Sequence, residues 1–197
     1  MNPLMNEVSF RNSYLLMRHG ESDANVSGVI VSDPKIGCER FGLTDRGSKQ
    51  IIASVKGFTG EAITQIVCSD FLRTLQTAQL VANTLNLPQP EQEAGLRERF
   101  FGKWEGMSAE HYENIWQRDE MDKHSDDGVE RPQEVAQRGL MVLERLEQQY
   151  QGEVILLVSH GDMLQILSTS IAGISPHKHR SLPHHQTGEI KYLVAQH

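Results

Sequence analysis

Ser13-Tyr14-Leu15-Leu16-Met17-Arg18-His19-Gly20 and Val154-Ile155-Leu156-Leu157-Val158-Ser159-His160-Gly161 share one plan: an apolar run leads directly into a polar residue, a histidine and a glycine. The second run is aliphatic at every position, as expected of a strand buried on both faces of a parallel sheet. Ligands of such sheets collect outside the carboxyl ends of the strands. The two histidines are therefore placed to meet in one crevice.

Outward from these runs, strands and helices alternate. Residues 44–55 read as a helix capped by Thr44, and 65–68 as a strand. A helix over 71–85, entered at Ser69-Asp70 and stopped by Pro88, carries Leu72, Leu75, Ala78, Ala82 and Leu85 at helical spacing. Residues 21–42 and 121–130 read as loops, 93–106 as mixed strand and turn, and 108–118 as a short helix capped by Ser108. A long helix over 132–150 buries Val135, Leu143 and Leu146 and stops at Gly152. A helix over 163–172, a histidine-rich loop over 176–185 and a last strand over 189–194 complete the chain. This order predicts an α/β fold, a three-layer α/β/α sandwich with a mostly parallel central sheet, in a single domain over 1–197.

Composition narrows the partners. With 19 basic against 26 acidic residues the net charge is -7, and no Lys/Arg tract forms a phosphate-backbone stripe. Nucleic acid and an anionic membrane are not the expected partners. A small anion is compatible, because a pocket can be locally positive inside an acidic protein. Cys38 and Cys68 are too few for a disulfide framework. No export signal or membrane span is read, so a cytoplasmic location is expected.

Arg18 beside His19 is a chemically directed pair: a guanidinium can grip phosphate oxygens as a fork while the neighbouring imidazole faces phosphorus. Arg73, in the first turn of a helix that follows another strand, can aim a second fork at the same crevice, beside free helix N–H groups. Glu98 lies between Arg97 and Arg99 just before an aromatic and glycine turn. Protonated, it can donate to a leaving oxygen; deprotonated, it can activate water. Each has a plainer reading: a satisfied structural histidine, a solvated arginine, an ordinary ion pair.

The run Arg18-His19-Gly20-Glu21-Ser22 with Asn25 resembles the signature of the histidine phosphatase superfamily, in its phosphoglycerate-mutase-like branch (branch 1). The likeness continues in order through Leu43-Thr44-Asp45-Arg46-Gly47, Ser69-Asp70 with Arg73, Thr74, Thr77 and Ala78, Leu96 with Glu98, Phe101 to Gly106, and Ser159-His160-Gly161. It implies that His19 accepts the phosphoryl group and that Arg18, Arg73 and His160 surround it. By the same resemblance Glu98 is the proton donor and Asn25 lines the phosphate pocket. A phosphohistidine intermediate, no metal and no cofactor are implied, with a small phosphorylated metabolite as substrate. Residues 26–41 lack the family's usual arginine, glutamine and glycine pattern, and Thr187 stands where asparagine is common.

Three alternatives stand beside this phosphohydrolase. A phosphoglycerate mutase-type phosphotransferase would return the group to another hydroxyl, but family mutases usually carry a longer insertion between the acid segment and the second histidine. His177, His179, His184 and His185 could include metal ligands, yet no acidic partner stands at a persuasive spacing, and a surface loop or pocket rim is the preferred reading. A binding-only scaffold would have lost a chemical residue, and none is missing. A homodimer is left open.

Overall fold

The computed structural model describes residues 10–123 and 125–194. Its elements are β1 (Ser13–Arg18), α1 (Asp23–Ser27), α2 (Pro34–Gly37), α3 (Asp45–Gly57), β2 (Gln65–Cys68), α4 (Leu72–Leu85), β3 (Glu91–Gln92), α5 (His111–Glu120), α6 (Pro132–Gln149), β4 (Val154–Ser159), α7 (Gly161–Ile171) and β5 (Ile190–Tyr192). The strands form one sheet in the order β3-β2-β4-β1-β5. All neighbours run parallel except β5, which pairs antiparallel with β1 on the edge.

The dense aliphatic runs do bury both faces. Tyr14, Leu16, Ile155 and Leu157 pack with Val135, Leu143 and Leu146 of α6 and with Met163, Leu164 and Leu167 of α7. Their neighbours in sequence, Leu15, Met17, Leu156 and Val158, point the other way onto Ile51 and Val55 of α3 and Ala78, Val81 and Ala82 of α4. The period-two alternation of a strand thus feeds two apolar layers, and the three-layer α/β/α sandwich follows.

Several boundaries differ from the sequence reading. The loop over 21–42 contains α1 and α2. The first is entered through a box in which the Ser22 N–H and hydroxyl donate to Asn25 Oδ1, and the second is capped by Asp33 ahead of Pro34. α5 begins at His111 rather than at Ser108, and α7 begins at Gly161 rather than Met163. α4 ends at Leu85 because Asn86 turns left-handed (φ 54°), before Pro88 acts. Six residues of the histidine-rich loop, Pro176–Ser181, form 3-10 turns, and the last strand is only three residues long.

Thr44 caps α3 as expected, accepting from the Gly47 N–H at 2.9 Å. That first turn is pressed against the chain leaving β1: a Cβ on Gly47 would sit 2.0 Å from the Glu21 carbonyl oxygen, and one on Gly20 would sit 2.9 Å from the Gly47 oxygen. Backbone cannot yield cheaply there. Gly47→Ala is expected to cost ~1–3 kcal/mol or more by overpacking, read as a lower denaturation midpoint. An unchanged midpoint would contradict this close approach.

Candidate active site

The register between β1 and β4 sets Arg18 opposite Ser159, and the His19 N–H donates to the Ser159 carbonyl at 3.0 Å. One step past the last strand pair, the His19 and His160 rings meet edge-on with centroids 5.3 Å apart. His19 Nδ1 lies 2.8 Å from the Gly20 carbonyl oxygen. A carbonyl only accepts, so Nδ1 carries the proton and Nε2 keeps its lone pair. Burial, reinforced by the charges of Arg73 and Arg18, holds this imidazole well below its ordinary pKa. His19 is therefore a neutral ring whose Nε2 is unprotonated.

Arg73 donates through Nε to His19 Nε2 at 3.2 Å and through Nη2 to the Val31 carbonyl at 2.9 Å. Arg18 places Nη1 at 2.9 Å from His184 Nε2 and donates from it to the His185 carbonyl at 3.0 Å. His160 Nε2 lies 2.9 Å from Ser69 Oγ, which accepts from the Phe71 N–H at 3.3 Å. The Ser69 hydroxyl thus engages Nε2 and leaves Nδ1 as the ring nitrogen without a partner. Burial first and Arg73 second keep this ring neutral as well.

Arg18 Nε, Arg73 Nη1 and His160 Nδ1 are buried and have no hydrogen-bond partner. Leaving a buried donor unpaired costs about 1–3 kcal/mol, more when the group is charged. Two unpaired guanidinium nitrogens at one strand-end crevice, beside His160 Nδ1, suit an anion. A cavity of 110 Å³ opens here, lined by Arg18, His19, Asn25, Arg73, Glu98 and Tyr112 among others. His160 is not among the lining residues but meets His19 edge-on beside it. Asn25 commits its carbonyl oxygen to Ser22, so its amide NH2 is the group left for a ligand.

Glu98 forms no ion pair with its neighbours in sequence. Its flanking arginines turn elsewhere: Arg97 forms a fork on Asp70, and Arg99 forms one on Asp119 with Asp162 at 3.4 Å. Glu98 Oε1 instead accepts from the backbone N–H groups of Arg99 (2.9 Å) and Met163 (3.3 Å). Burial, helped by the negative charge of Asp162, pushes its pKa up to about 7, where a carboxyl can both give and take a proton near neutrality. Arg138 fixes this segment, donating to the carbonyls of Gly95, Arg97 and Glu98 at 2.7, 2.8 and 3.2 Å.

The structure thus brings His19, His160, Arg18, Arg73, Glu98 and Asn25 to one crevice. Sequence reasoning did not single out Tyr112, whose ring stacks on Trp116 at 5.3 Å, nor Arg138, nor Ser69 as the partner of His160. His184 and His185 were noticed only as members of a histidine-rich stretch. Those histidines disperse: His179 turns to the Pro176 carbonyl, His177 to Asp122, and His184 to Arg18. Among the described residues no group of three or more candidate ligands converges for a metal.

The sequence model describing the histidine phosphatase superfamily (branch 1) matches residues 14–197. An adenosylcobalamin/alpha-ribazole phosphatase of Escherichia coli is 31% identical over 170 residues, which cover 81% of this chain and 78% of the relative. A Photorhabdus laumondii protein named "Probable phosphoglycerate mutase GpmB" is also 31% identical, over 173 residues covering 85% of this chain and 78% of its own. Mycobacterial glucosyl-3-phosphoglycerate phosphatase, solved with VO3, superposes with a TM-score of 0.76 at 22% identity, covering 90% of this chain and 88% of that one.

Proposed function

The chain belongs to branch 1 of the histidine phosphatase superfamily, and from that membership we propose that it is a metal-independent phosphohydrolase acting on a small phosphorylated metabolite through phosphorylated His19. One observation carries the reading: unpaired buried nitrogens of Arg18, Arg73 and His160 collect at the strand ends beside His19, whose unprotonated Nε2 is held by Arg73 Nε alone.

In this mechanism the phosphoryl oxygens take up hydrogen bonds from those nitrogens and the Asn25 amide. Arg73 Nε releases His19 Nε2 and turns to an oxygen. The Nε2 lone pair attacks phosphorus as the bond to the leaving oxygen breaks, and Glu98 gives that oxygen its proton. Glu98, now a carboxylate, takes a proton from water, whose oxygen attacks phosphorus and displaces His19. Inorganic phosphate leaves and both side chains return to their starting states. The arginines and His160 supply the charge stabilisation that a metal supplies elsewhere.

Relatives named as phosphatase and as mutase are equally similar to this chain, so hydrolysis is preferred on the short segment between Glu98 and His160, which leaves water free to enter. No helix among the described residues is long and apolar enough to cross a membrane, and we read the location as cytoplasmic. A kcat/KM survey over sugar phosphates, phosphoglycerates, nucleoside monophosphates and phosphoamino acids, with chelator present, tests the reading. Release of inorganic phosphate is expected; isomerised phosphoesters without phosphate release would favour the mutase.

The acid role has a signed pH consequence. Leaving-group protonation needs neutral Glu98, so the phosphorylation rate falls as pH rises through about 7. Asp162 is buried and held by the Trp116 indole N–H at 3.0 Å, and its charge helps keep Glu98 protonated. Asp162→Asn removes that charge and is expected to move the falling limb of the pH profile to lower pH. A limb that stays in place would contradict the electrostatic link.

A further inference from the structure

We propose that His184 is a positioning residue that aims Arg18 at the phosphoryl group; this rests on the phosphohydrolase reading above. Arg18 Nη1 carries two protons, and two acceptors meet them: His184 Nε2 at 2.9 Å and the His185 carbonyl at 3.0 Å. With Nη1 fully engaged, the opposite edge of the guanidinium, Nε and Nη2, is the fork left for the cavity. Its Nε is one of the buried donors without a partner. That edge is the geometry a phosphate accepts as two parallel bonds. Both groups lie beside Gly161. A Cβ there would lie 3.4 Å from His184 Cε1 and 3.6 Å from Arg18 Cζ, so ring and guanidinium both rest against the bare start of α7.

The other ring nitrogen sharpens the assignment. His184 Nδ1 lies 3.0 Å from Arg180 Nη1, so each nitrogen of one imidazole faces an arginine donor. A neutral ring has a single acceptor and a charged ring has none. Burial and the two arginine charges push the His184 pKa down to about 4, leaving one lone pair for two claimants. Arg180 is exposed, already donates to Gln165 Oε1 at 2.7 Å, and stacks over Trp116 at 3.8 Å. Arg18 is half-buried, with its Nε fully shielded, and an unmet proton costs more there than on exposed Arg180. The lone pair therefore belongs on Nε2, facing Arg18, with the proton on Nδ1. His184 reaches the site from a loop far along the chain, and its role is distinct from any contact with substrate.

The test is vanadate inhibition and kcat/KM for His184→Leu and His184→Gln, each alone and combined with Arg18→Ala. Leucine keeps bulk but accepts nothing; glutamine offers an amide oxygen in place of Nε2. His184→Leu is expected to weaken vanadate and lower kcat/KM by about tenfold, the scale of one charge-assisted hydrogen bond. His184→Gln should recover to within about threefold of wild type, because its oxygen can take the same proton. In the Arg18→Ala background the leucine penalty should vanish, because the group being aimed is gone. Equal behaviour of leucine and glutamine variants, or a leucine penalty undiminished without Arg18, would overturn the assignment; the second comparison decides if the glutamine variant fails to fold. Wild-type protein indifferent to vanadate would instead overturn the phosphohydrolase reading and this inference with it.

Discussion

Replacing His19 with alanine is expected to remove turnover, by at least about 10⁴-fold in kcat/KM, while the protein stays folded. The magnitude follows from the loss of a covalent route rather than of one contact. His19 Nε2 is the unprotonated nitrogen of a cavity-lining ring, held by Arg73 Nε, and burial with the charges of Arg73 and Arg18 keeps that ring neutral. His160 is not poised to replace it, because its Nε2 is engaged by Ser69 Oγ. The structural cost should be small, because the ring hydrogen-bonds only to the adjacent Gly20 carbonyl and to Arg73, while the apolar layers that hold the sheet lie elsewhere. The check is kcat/KM alongside a thermal melt. Turnover within about tenfold of wild type, in a folded variant, would exclude His19 as the phosphoryl acceptor.

Glu98→Gln is expected to damage hydrolysis of alkyl phosphates by about 10²- to 10⁴-fold, the usual worth of a general acid, and to spare release from p-nitrophenyl phosphate. An alkoxide cannot leave near neutrality without a proton, whereas p-nitrophenolate is stable as an anion. The quantity to compare is pre-steady-state release of the alcohol, because the second step needs Glu98 as a base and would fail alike for both substrates. Glutamine keeps the acceptor oxygen that the Arg99 and Met163 N–H groups hold, so the segment fixed by Arg138 should not move. Equal losses for the two leaving groups would remove Glu98 from the acid role.

Much of this was legible in the sequence because it depends on local pattern. The run leading into Ser159 is aliphatic and the one leading into Arg18 is largely apolar, and strands buried on both faces have that character. The spacing of Leu72, Leu75, Ala78 and Ala82 marked α4, and Thr44 marked the start of α3. The entrances to α1 and α2 were also written locally, in the Ser22 and Asn25 pair and in Asp33-Pro34, but helices of five and four residues present no period to read. β3 and β5 are two and three residues long, and their pairing with the sheet is a tertiary fact. The candidate site divided in the same way. His19, Arg18, Arg73, Glu98 and His160 lie in motifs, whereas Arg138 works through backbone carbonyls of a loop some 40 positions away, and His184 acts through one nitrogen on a residue 166 positions away. No spacing rule connects such pairs. The histidine-rich stretch reads in sequence as a surface loop or pocket rim, but which of its rings faces Arg18 is not written there, because composition shows where histidines lie and not which way their rings face.

The central claim is that His19 carries the phosphoryl group, and the variant best suited to trap it is Glu98→Gln given p-nitrophenyl phosphate. Phosphorylation then does not wait for a proton donor, while hydrolysis of the intermediate lacks its base. Rapid mixing, an alkaline quench and peptide mass spectrometry should show a burst of p-nitrophenolate, close to one per active site, with a matching phosphoryl group on the His19 peptide. Inorganic phosphate appearing in step with p-nitrophenolate and no phosphoryl group on His19, or the group on another residue, would contradict the account.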